Sequence, residues 1–239
     1  MTKNETRDNV YREPRRQLVD FAFDQAVAGV FPDMIRRSVP GYETVIPLSG
    51  LLAARYLQAG SKVYDLGCSL GATTLAVLDQ IGASKCEIVA VDNSAAMLEQ
   101  ARETRSWDPR VSFTQSDVCD VEIDDASVVL MNYLLQFVDP DRRLQLLKNI
   151  RNGLRPDGAL ILSEKLAGDA EFTAIHESFK RANGYTDLEV SQKRTALENV
   201  MLPDTLDTHL ARLADAGFDD ISVWFRCLNW VSLIARASA

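Results

Sequence analysis

The spacing of apolar positions along this chain changes near residue 60. Before that point, residues 19–38 are predicted to be helical pieces broken at Pro32, and a helix after the Pro40-Gly41 turn ends near Gly60. Beyond it, short apolar runs alternate with amphipathic stretches; in chain order the runs are KVYDLG, CEIVAVDN, VSFTQSD, SVVLMN and ALILSE. Strands that alternate with helices predict a parallel sheet covered by helices on both faces.

The end of the chain follows a different order. DTLDTHLARLADAG has the helical period, with Gly217 at the position of a C-terminal cap. DISVWFRCLNWVSLIARA then contains two strand-like runs close together, which predict an antiparallel hairpin at the sheet edge. With the five earlier strands, the pattern predicts an α/β fold with a mostly parallel, seven-stranded sheet.

A polar segment at about 166–203 interrupts this pattern. Its second half, DLEVSQKRTALENVMLP, neither alternates like a strand nor offers a wide apolar helix face. We interpret it as an insertion between the fifth strand and the last helix of a single domain, residues 21–239. Residues 1–20 are polar and charged and are predicted to form a flexible tail.

Composition restricts the class of ligand. The 239 residues are 46% hydrophobic and 25% charged, ordinary values for a globular protein, and the formal net charge is −8. Proteins that bind a phosphate backbone usually present a basic surface, so this charge favours a small-molecule ligand over nucleic acid. We see neither an apolar run that could span a bilayer nor a secretory signal.

The cysteines indicate no metal site. Four of them are scattered along the chain, form no C-x-x-C pair and match no zinc spacing: Cys68, Cys86, Cys119 and Cys227. We therefore expect no bound metal and a reducing, cytoplasmic environment. His176 and His209 lie in polar, helical surroundings and are predicted to be surface residues, and Cys68 is predicted to be a loop residue and not a nucleophile.

The stretch VYDLGCSLGATT runs from a strand through a glycine loop into a helix. In the G-x-G-x-x-G fingerprint of dinucleotide sites, the three glycine positions correspond to Gly67, Ser69 and Ala72, so two of the three fail. Asp65 at the strand end would repel a pyrophosphate. A carboxylate there favours a ligand with an amino group and no phosphate, and S-adenosylmethionine has both features.

Polar residues at the next strand ends support this ligand. Asp92 lies 25 residues after Gly67 (92 − 67), where an acid accepts hydrogen bonds from ribose hydroxyls. Asp117 follows the third strand and is predicted to accept from the adenine amino group, and Asn132 ends the central apolar strand. Asp65 or Asp92 alone fits a helix cap or a loop residue, but the glycine loop, Asp92 and Asp117 at three successive strand ends are more specific together.

These motifs resemble those of a known family. The stretches FPDMIRRSVPGY, VYDLGCSLGA, VDNSAAM, LSEK and FKRANGYTDLEVSQKRTALENVML are similar to the bacterial carboxy-S-adenosyl-L-methionine synthases, which have the class I methyltransferase-like Rossmann fold. The resemblance covers nearly all of the chain beyond the first twenty residues. It implies that the polar insertion is a helical lid.

The resemblance also implies an activity. The family uses S-adenosylmethionine and prephenate and forms carboxy-S-adenosylmethionine and phenylpyruvate; a tRNA carboxymethyltransferase then uses the product on a wobble uridine. A homodimer is implied as well. The implied cofactor contacts are Tyr42, Gly67, Cys68, Ser69, Asp92, Asn93, Asp117, Val118, Asn132 and Arg194, with Arg194 as the carboxylate-binding residue.

The implied chemistry needs no protein nucleophile and no general base. Prephenate loses carbon dioxide and hydroxide as its ring becomes aromatic. Hydroxide takes a proton from the sulfonium methyl group, and the resulting ylide captures the carbon dioxide. The protein would supply proximity, exclusion of water and a carboxylate site, and a guanidinium offers a planar two-point grip for that site.

Alternatives remain open at this stage. Spacing alone favours a solvated ion pair between Arg194 and Glu189 or Glu198, and the sequence does not show whether Arg194 serves its own subunit or a neighbouring one. A conventional methyltransferase acting on a small molecule would carry the same glycine loop and acids. A non-catalytic module that senses the cofactor would also carry them, without an anion-binding lid.

Overall fold

The structure, a computed structural model, describes residues 6–236. Its strands are β1 (Ser61–Leu66), β2 (Cys86–Asp92), β3 (Val111–Gln115), β4 (Ala126–Asn132), β5 (Leu154–Lys165), β6 (Asp220–Cys227) and β7 (Trp230–Arg236). They form one seven-stranded sheet in the order β3-β2-β1-β4-β5-β7-β6. β1 to β5 pair in parallel, whereas β7 is antiparallel to β5 and β6. The predicted fold class is confirmed.

Nine α-helices surround the sheet within residues 6–236. They are α1 (Gln25–Ala28), α2 (Phe31–Ser38), α3 (Tyr42–Tyr56), α4 (Ala72–Ile81), α5 (Ala95–Thr104), α6 (Pro140–Gly153), α7 (Ala170–Ala182), α8 (Asp187–Leu197) and α9 (Leu206–Asp215). Local sequence explains where several begin. Ser94 caps α5 by accepting from the Met97 amide, and Thr186 and Glu189 form a reciprocal capping box at α8.

The two faces of the sheet bury separate cores. On one face, Val128 and Leu130 of β4 pack with Val77 of α4. On the other face, Val129 and Met131 pack with residues of α6 and α9. Successive side chains of a strand point to opposite faces, so a strand covered on both sides must be apolar throughout. This explains why SVVLMN lacks alternation.

The beginning of the chain differs from its prediction. Pro32 lies in the first turn of α2, where its missing N–H costs nothing, and so it starts a helix instead of breaking one.

Asp8 and Tyr11, within the predicted flexible tail, are buried. Asp8 accepts a hydrogen bond from the Tyr185 hydroxyl, and Gln192 Nε2 donates to the carbonyl of Tyr11 at 2.9 Å. These contacts attach Asp8 and Tyr11 to residues in and next to α8, and residues 1–5 of the predicted tail lie outside the residues that the structure describes.

The polar insertion contains α7 and α8, which are joined to the N-terminal segment and to the sheet. The Phe21 amide donates to the Ala196 carbonyl at 2.8 Å, which ties α8 to the chain before α1. The first residue of the insertion, Leu166, forms an isolated parallel bridge with Asp204, which follows the last residue of the insertion, and the Leu166 amide donates to the Asn229 carbonyl between β6 and β7 at 2.6 Å. We call residues 166–203 the lid segment from here on.

The two histidines are buried, which corrects their prediction as surface residues. His176 Nε2 lies 2.7 Å from the Ser38 carbonyl oxygen, and its ring packs edge-on to Trp230. Burial, chiefly, lowers the pKa of His176 to about 3 and that of His209 to about 4. Their helices are polar in sequence, but tertiary packing covers the faces on which the histidines lie.

No helix within residues 6–236 has the length and apolarity needed to cross a membrane.

Candidate active site

A cavity of about 1070 Å³ lies at the carboxyl ends of the central strands. β1 has β2 on one side and β4 on the other, so the strand order reverses at this point. Open α/β sheets bind ligands at such a switch point. The glycine loop after β1 forms one wall, and residues of α2, α3 and the lid segment form the others.

The glycine loop is held tightly against β2. The amides of Gly67 and Cys68 both donate to the Val91 carbonyl, at 2.8 and 2.9 Å. Gly67 has φ +72°, and a Cβ there would come within 2.9 Å of a Leu134 side-chain atom. Glycine is therefore required at this position for both its backbone conformation and its closeness to Leu134. Burial raises the pKa of the Cys68 thiol well above its ordinary value, which is consistent with a loop residue and not a nucleophile.

Asp92 is fixed at the cavity wall by two loop amides. Its Oδ2 accepts from the Ser69 amide at 2.8 Å, and its Oδ1 accepts from the Ser94 amide at 2.9 Å. Burial raises the pKa of Asp92, and these amides lower it in part. Each carboxylate oxygen keeps a second acceptor site, which suits a pair of hydroxyl donors.

Asp65 occupies a different place from the one its strand position predicts. It does not line the cavity; it is buried behind the glycine loop, and its Oδ2 accepts from the Thr74 hydroxyl at 2.6 Å. Burial raises the pKa of Asp65 to about 6. Its contact with Thr74 secures the start of α4, so any effect of Asp65 on a ligand is indirect.

Asp117 lies at the outer, half-exposed end of the cavity. Its Oδ2 accepts from Arg142 Nη1 at 2.6 Å, and its Oδ1 accepts from the Cys119 amide at 2.9 Å. Burial raises the pKa of Asp117, but these two hydrogen bonds outweigh it, and the pKa is lowered overall. The group is thus a fixed anion, suited to accept from an exocyclic amino group.

Asn132 offers an acceptor with no partner. Its Nδ2 donates to the Thr73 hydroxyl at 3.2 Å, while its Oδ1 is buried and makes no hydrogen bond within residues 6–236. A buried polar atom without a partner is unfavourable in isolation. A ligand ammonium group would satisfy it. S-adenosylmethionine fits this site, because its amino group can donate to Asn132 and its ribose hydroxyls can donate to Asp92 beside the glycine loop.

A loop next to the cavity depends on a buried carboxylate that the sequence did not single out. Glu164 Oε1 accepts from the Leu135 amide at 2.7 Å, and Oε2 accepts from the Gln136 amide at 3.0 Å. Burial raises the pKa of Glu164 to about 8 despite these amides. The residue belongs to the LSEK motif and positions residues 134–137, of which several line the cavity.

The far end of the cavity combines aromatic and cationic side chains. The Tyr133 ring packs edge-on to Trp230 with centroids 5.4 Å apart. Three lysines, Lys165, Lys180 and Lys193, line the same end. Burial is the main cause that lowers the pKa of Lys180 to about 7 and that of Lys193 to about 8. Sequence reasoning did not select these lysines, although each lies in a quoted motif: LSEK, FKRANGY or SQKR.

Arg194 lies outside the cavity of its own chain. Its side chain is 70% exposed, and Nη1 pairs with Glu177 of α7 at 3.1 Å. The partner is thus neither Glu189 nor Glu198, the two acids that spacing within α8 suggested. The cavity wall does contain the other nine predicted contact residues, Tyr42, Gly67, Cys68, Ser69, Asp92, Asn93, Asp117, Val118 and Asn132. Their contacts with a ligand, and the role of Arg194, stay predictions.

Residues 6–236 contain no group of three or more His, Cys, Asp or Glu side chains arranged to hold a metal ion.

Comparison with known proteins defines the class. The family described as "Methyltransferase domain" matches residues 63–158. The structure of human N-acetylserotonin methyltransferase in complex with S-adenosylmethionine has a TM-score of 0.63 at 14% identity, over 90% of this chain and 56% of that chain. A Haloferax volcanii putative methyltransferase, solved with its Trm112 activator, has a TM-score of 0.62 at 16% identity, over 90% of this chain and 97% of that chain. Fold and site thus define an S-adenosylmethionine-using enzyme of the class I methyltransferase fold.

Sequence relatives narrow this class. The carboxy-S-adenosyl-L-methionine synthase of Citrifermentans bemidjiense is 50% identical over 237 residues, which cover 95% of this chain and 97% of that protein. The Aeromonas salmonicida protein of the same name is 49% identical over 242 residues, with 98% of both chains covered. The chain belongs to the carboxy-S-adenosyl-L-methionine synthase family.

Proposed function

We propose that this protein converts S-adenosylmethionine and prephenate into carboxy-S-adenosylmethionine and phenylpyruvate. The observation that carries the proposal is the near-complete, 50% identical match to a relative named for this product. The cavity supports it, because about 1070 Å³ leaves room for a second small molecule beside the nucleotide. A conventional methyltransferase is the alternative, and its second substrate would need no anionic groups.

The roles of the cavity residues follow from their geometry. Asp92 would bind the ribose hydroxyls, Asp117 the adenine amino group, and Asn132 the amino group of the methionine part. S-adenosylmethionine would supply the carbon that receives the carboxylate, and prephenate the carbon dioxide. The chain itself holds the two substrates together and excludes water, which is the protein's main contribution when no side chain forms a covalent bond.

Arg194 would bind the new carboxylate of the product. Its exposure and its absence from the cavity of its own chain favour the alternative in which it reaches the cavity of a second subunit of a homodimer. A guanidinium on the surface of α8 is accessible to a partner, and a weak, exposed pair with Glu177 is easily exchanged for a ligand carboxylate.

The product would be consumed by a separate tRNA carboxymethyltransferase. The net charge of −8 supports the view that this chain binds small molecules and leaves tRNA to that enzyme. The four free thiols, Cys68, Cys86, Cys119 and Cys227, support a reducing cytoplasm as the site of action.

The direct test is incubation of the purified protein with S-adenosylmethionine and prephenate, followed by mass spectrometry. The expected products are the carboxylated nucleotide and phenylpyruvate in equal amounts. Without prephenate, neither should form. S-adenosylhomocysteine as the only nucleotide product, in a reaction that depends on another acceptor, would show a conventional methyltransferase instead.

A further inference from the structure

Three lysines from three separate elements meet at the lid end of the cavity. Lys165 ends β5, Lys180 lies in α7 and Lys193 lies in α8. β5 delivers its last residue to the carboxyl edge of the sheet, and both lid helices contribute to the same wall. Each lysine side chain is at least partly buried. The three amino groups therefore lie near one another in the cavity wall, in buried or partly buried positions.

Their charges are poorly compensated by the chain itself. Within residues 6–236, the ammonium groups of Lys165 and Lys180 have no hydrogen-bond acceptor and no ion-pair partner within contact distance. Lys193 donates to the Ser38 hydroxyl at 3.1 Å and lies 3.9 Å from Asp8. Buried charges normally have a partner, because their removal from water is otherwise costly.

The acid near Lys165 and Lys180 is Glu177, and it already forms ion pairs with two arginines. The carboxylate of Glu177 favours the charged forms of Lys165 and Lys180 and so raises their pKa values in part. The same carboxylate forms ion pairs with Arg194 at 3.1 Å and Arg181 at 3.5 Å. Burial lowers the pKa of Lys180 first, and repulsion from the other two lysines lowers it further. The cluster therefore lacks anionic charge on the cavity side.

The surrounding residues add neutral donors and apolar surface. Trp230 is buried in the cavity wall, and its indole N–H has no hydrogen-bond partner within residues 6–236. Tyr42 lies on the same wall, and burial raises its pKa well above the ordinary value, so the hydroxyl stays neutral. An anion with a flat, apolar ring would match both the ammonium groups and these aromatic rings.

We infer that the Lys165, Lys180 and Lys193 cluster binds the carboxylates of the second substrate, a small cyclic dicarboxylate. The inference rests on the proposed function, in which that substrate is prephenate. S-adenosylmethionine is a weaker match for three ammonium groups, because it has one carboxylate and a positive sulfonium. The lysines thus select the carboxyl donor, a role separate from that of Arg194 on the product.

The test is equilibrium binding of prephenate to the full-length protein saturated with S-adenosylhomocysteine, which has no methyl group to react. Calorimetry would compare the wild type with Lys165→Met and Lys180→Met, which keep the length of the side chain and remove the charge. Lys180→Arg keeps the charge. Lys85→Met is the matched control, because Lys85 is exposed in the loop before β2, at the opposite edge of the sheet.

We expect the Kd for prephenate to rise about 10- to 100-fold in each of the two cavity variants, as for loss of a charge-assisted hydrogen bond. Lys180→Arg should recover part of the affinity, and Lys85→Met should match the wild type. The Kd for S-adenosylhomocysteine should change less than about twofold in all variants, which also shows that each variant is folded.

Three results would overturn the inference. The wild type could fail to bind prephenate, or the Kd for prephenate could be unchanged in both cavity variants. The variants could also lose affinity for S-adenosylhomocysteine as much as for prephenate, which would mean that the lysines bind the carboxylate of the nucleotide. Carboxylated product from the wild type would leave the proposed function intact in each case. Conversely, lysine-dependent binding of prephenate without any carboxylated product would keep the inference and refute the proposed function.

Discussion

The buried side chain of Arg143 in α6 forms an ion pair with the partly exposed Asp204, just after the lid segment, with Nη1 and Oδ2 2.5 Å apart. Arg143 also donates through Nη2 to the Leu202 carbonyl at 2.8 Å and through Nε to the Val138 carbonyl at 2.9 Å. One guanidinium thus connects the end of the lid segment to a loop that lines the cavity. Arg212 provides a second cation for Asp204, at 2.7 Å.

Replacing Arg143 should destabilise the protein strongly. Arg143→Met leaves the Asp204 carboxylate with Arg212 as its remaining cation and removes the donor to the carbonyls of Val138 and Leu202, so we expect the free energy of unfolding to fall by about 2–4 kcal/mol. Urea denaturation measures this loss. Arg155→Met is the control, because its pair with Asp125 lies at the surface, where ion pairs contribute little to stability. Equal losses in the two variants would refute the anchoring role of Arg143.

Asp92 should determine affinity for the nucleotide. Asp92→Asn keeps the shape and one acceptor but removes the charge, so hydrogen bonds to the ribose should weaken by about 1–2 kcal/mol, which corresponds to a roughly 10-fold higher Kd for S-adenosylmethionine. Titration calorimetry with S-adenosylmethionine measures this Kd. Asp79→Asn is the same chemical change on the exposed side of α4 and should have no effect. An unchanged Kd in Asp92→Asn would remove Asp92 from the binding site.

The sheet and the placement of polar residues at its carboxyl edge could be predicted because they depend on local patterns. Continuous apolar runs such as SVVLMN identify strands covered on both faces, and a parallel sheet brings the residues at its strand ends to one edge. Asp92, Asp117 and Asn132 therefore lie in one cavity wall although they are far apart in sequence.

The lid and its contacts could not be predicted in this way. Tyr185 bonds to Asp8 across 177 residues, and Gln192 bonds to Tyr11 across 181 residues. Such polar pairs leave no period in the sequence, so the N-terminal segment resembled a flexible tail. The burial of His176 depends equally on distant partners, since Ser38 and Trp230 come from other parts of the chain.

His176 should make the protein sensitive to acid. Its pKa is about 3 in the folded protein and about 6.5 when unfolded, so below pH 6.5 the unfolded state binds the extra proton and stability falls until about pH 3. Burial is the main cause, and the nearby Lys180, Lys165 and Lys193 add repulsion. Between pH 7 and pH 5 the contribution of this one histidine should be about 2 kcal/mol.

His176→Gln tests this dependence. The variant keeps a polar group near the Ser38 carbonyl but does not titrate, so its loss of unfolding free energy from pH 7 to pH 5 should be about 2 kcal/mol smaller than in the wild type. Urea denaturation at the two pH values provides the comparison. Parallel losses in both proteins would mean that His176 titrates alike in the folded and unfolded states.

Arg194 should distinguish the product from the substrate. Arg194→Ala should bind S-adenosylmethionine nearly as the wild type does, because that molecule lacks the added carboxylate. It should bind carboxy-S-adenosylmethionine more weakly by about 2–5 kcal/mol if the guanidinium is desolvated in the complex, and Arg194→Lys should recover only part of the loss. Arg181→Ala is the matched control, since Arg181 also pairs with Glu177.

The exposure of Arg194 allows a test of which subunit it serves. Arg194→Ala and Asp92→Ala should each have little activity alone. If Arg194 reaches the cavity of a partner, a mixed dimer contains one cavity with both residues intact, and mixing the two variants should restore activity. If Arg194 serves its own chain, every cavity in the mixture lacks one residue, and activity should stay at the level of the separate variants. In the binding experiment, an equal loss of affinity for S-adenosylmethionine and carboxy-S-adenosylmethionine in Arg194→Ala would instead mean that the ion pair with Glu177 supports the fold of the lid segment.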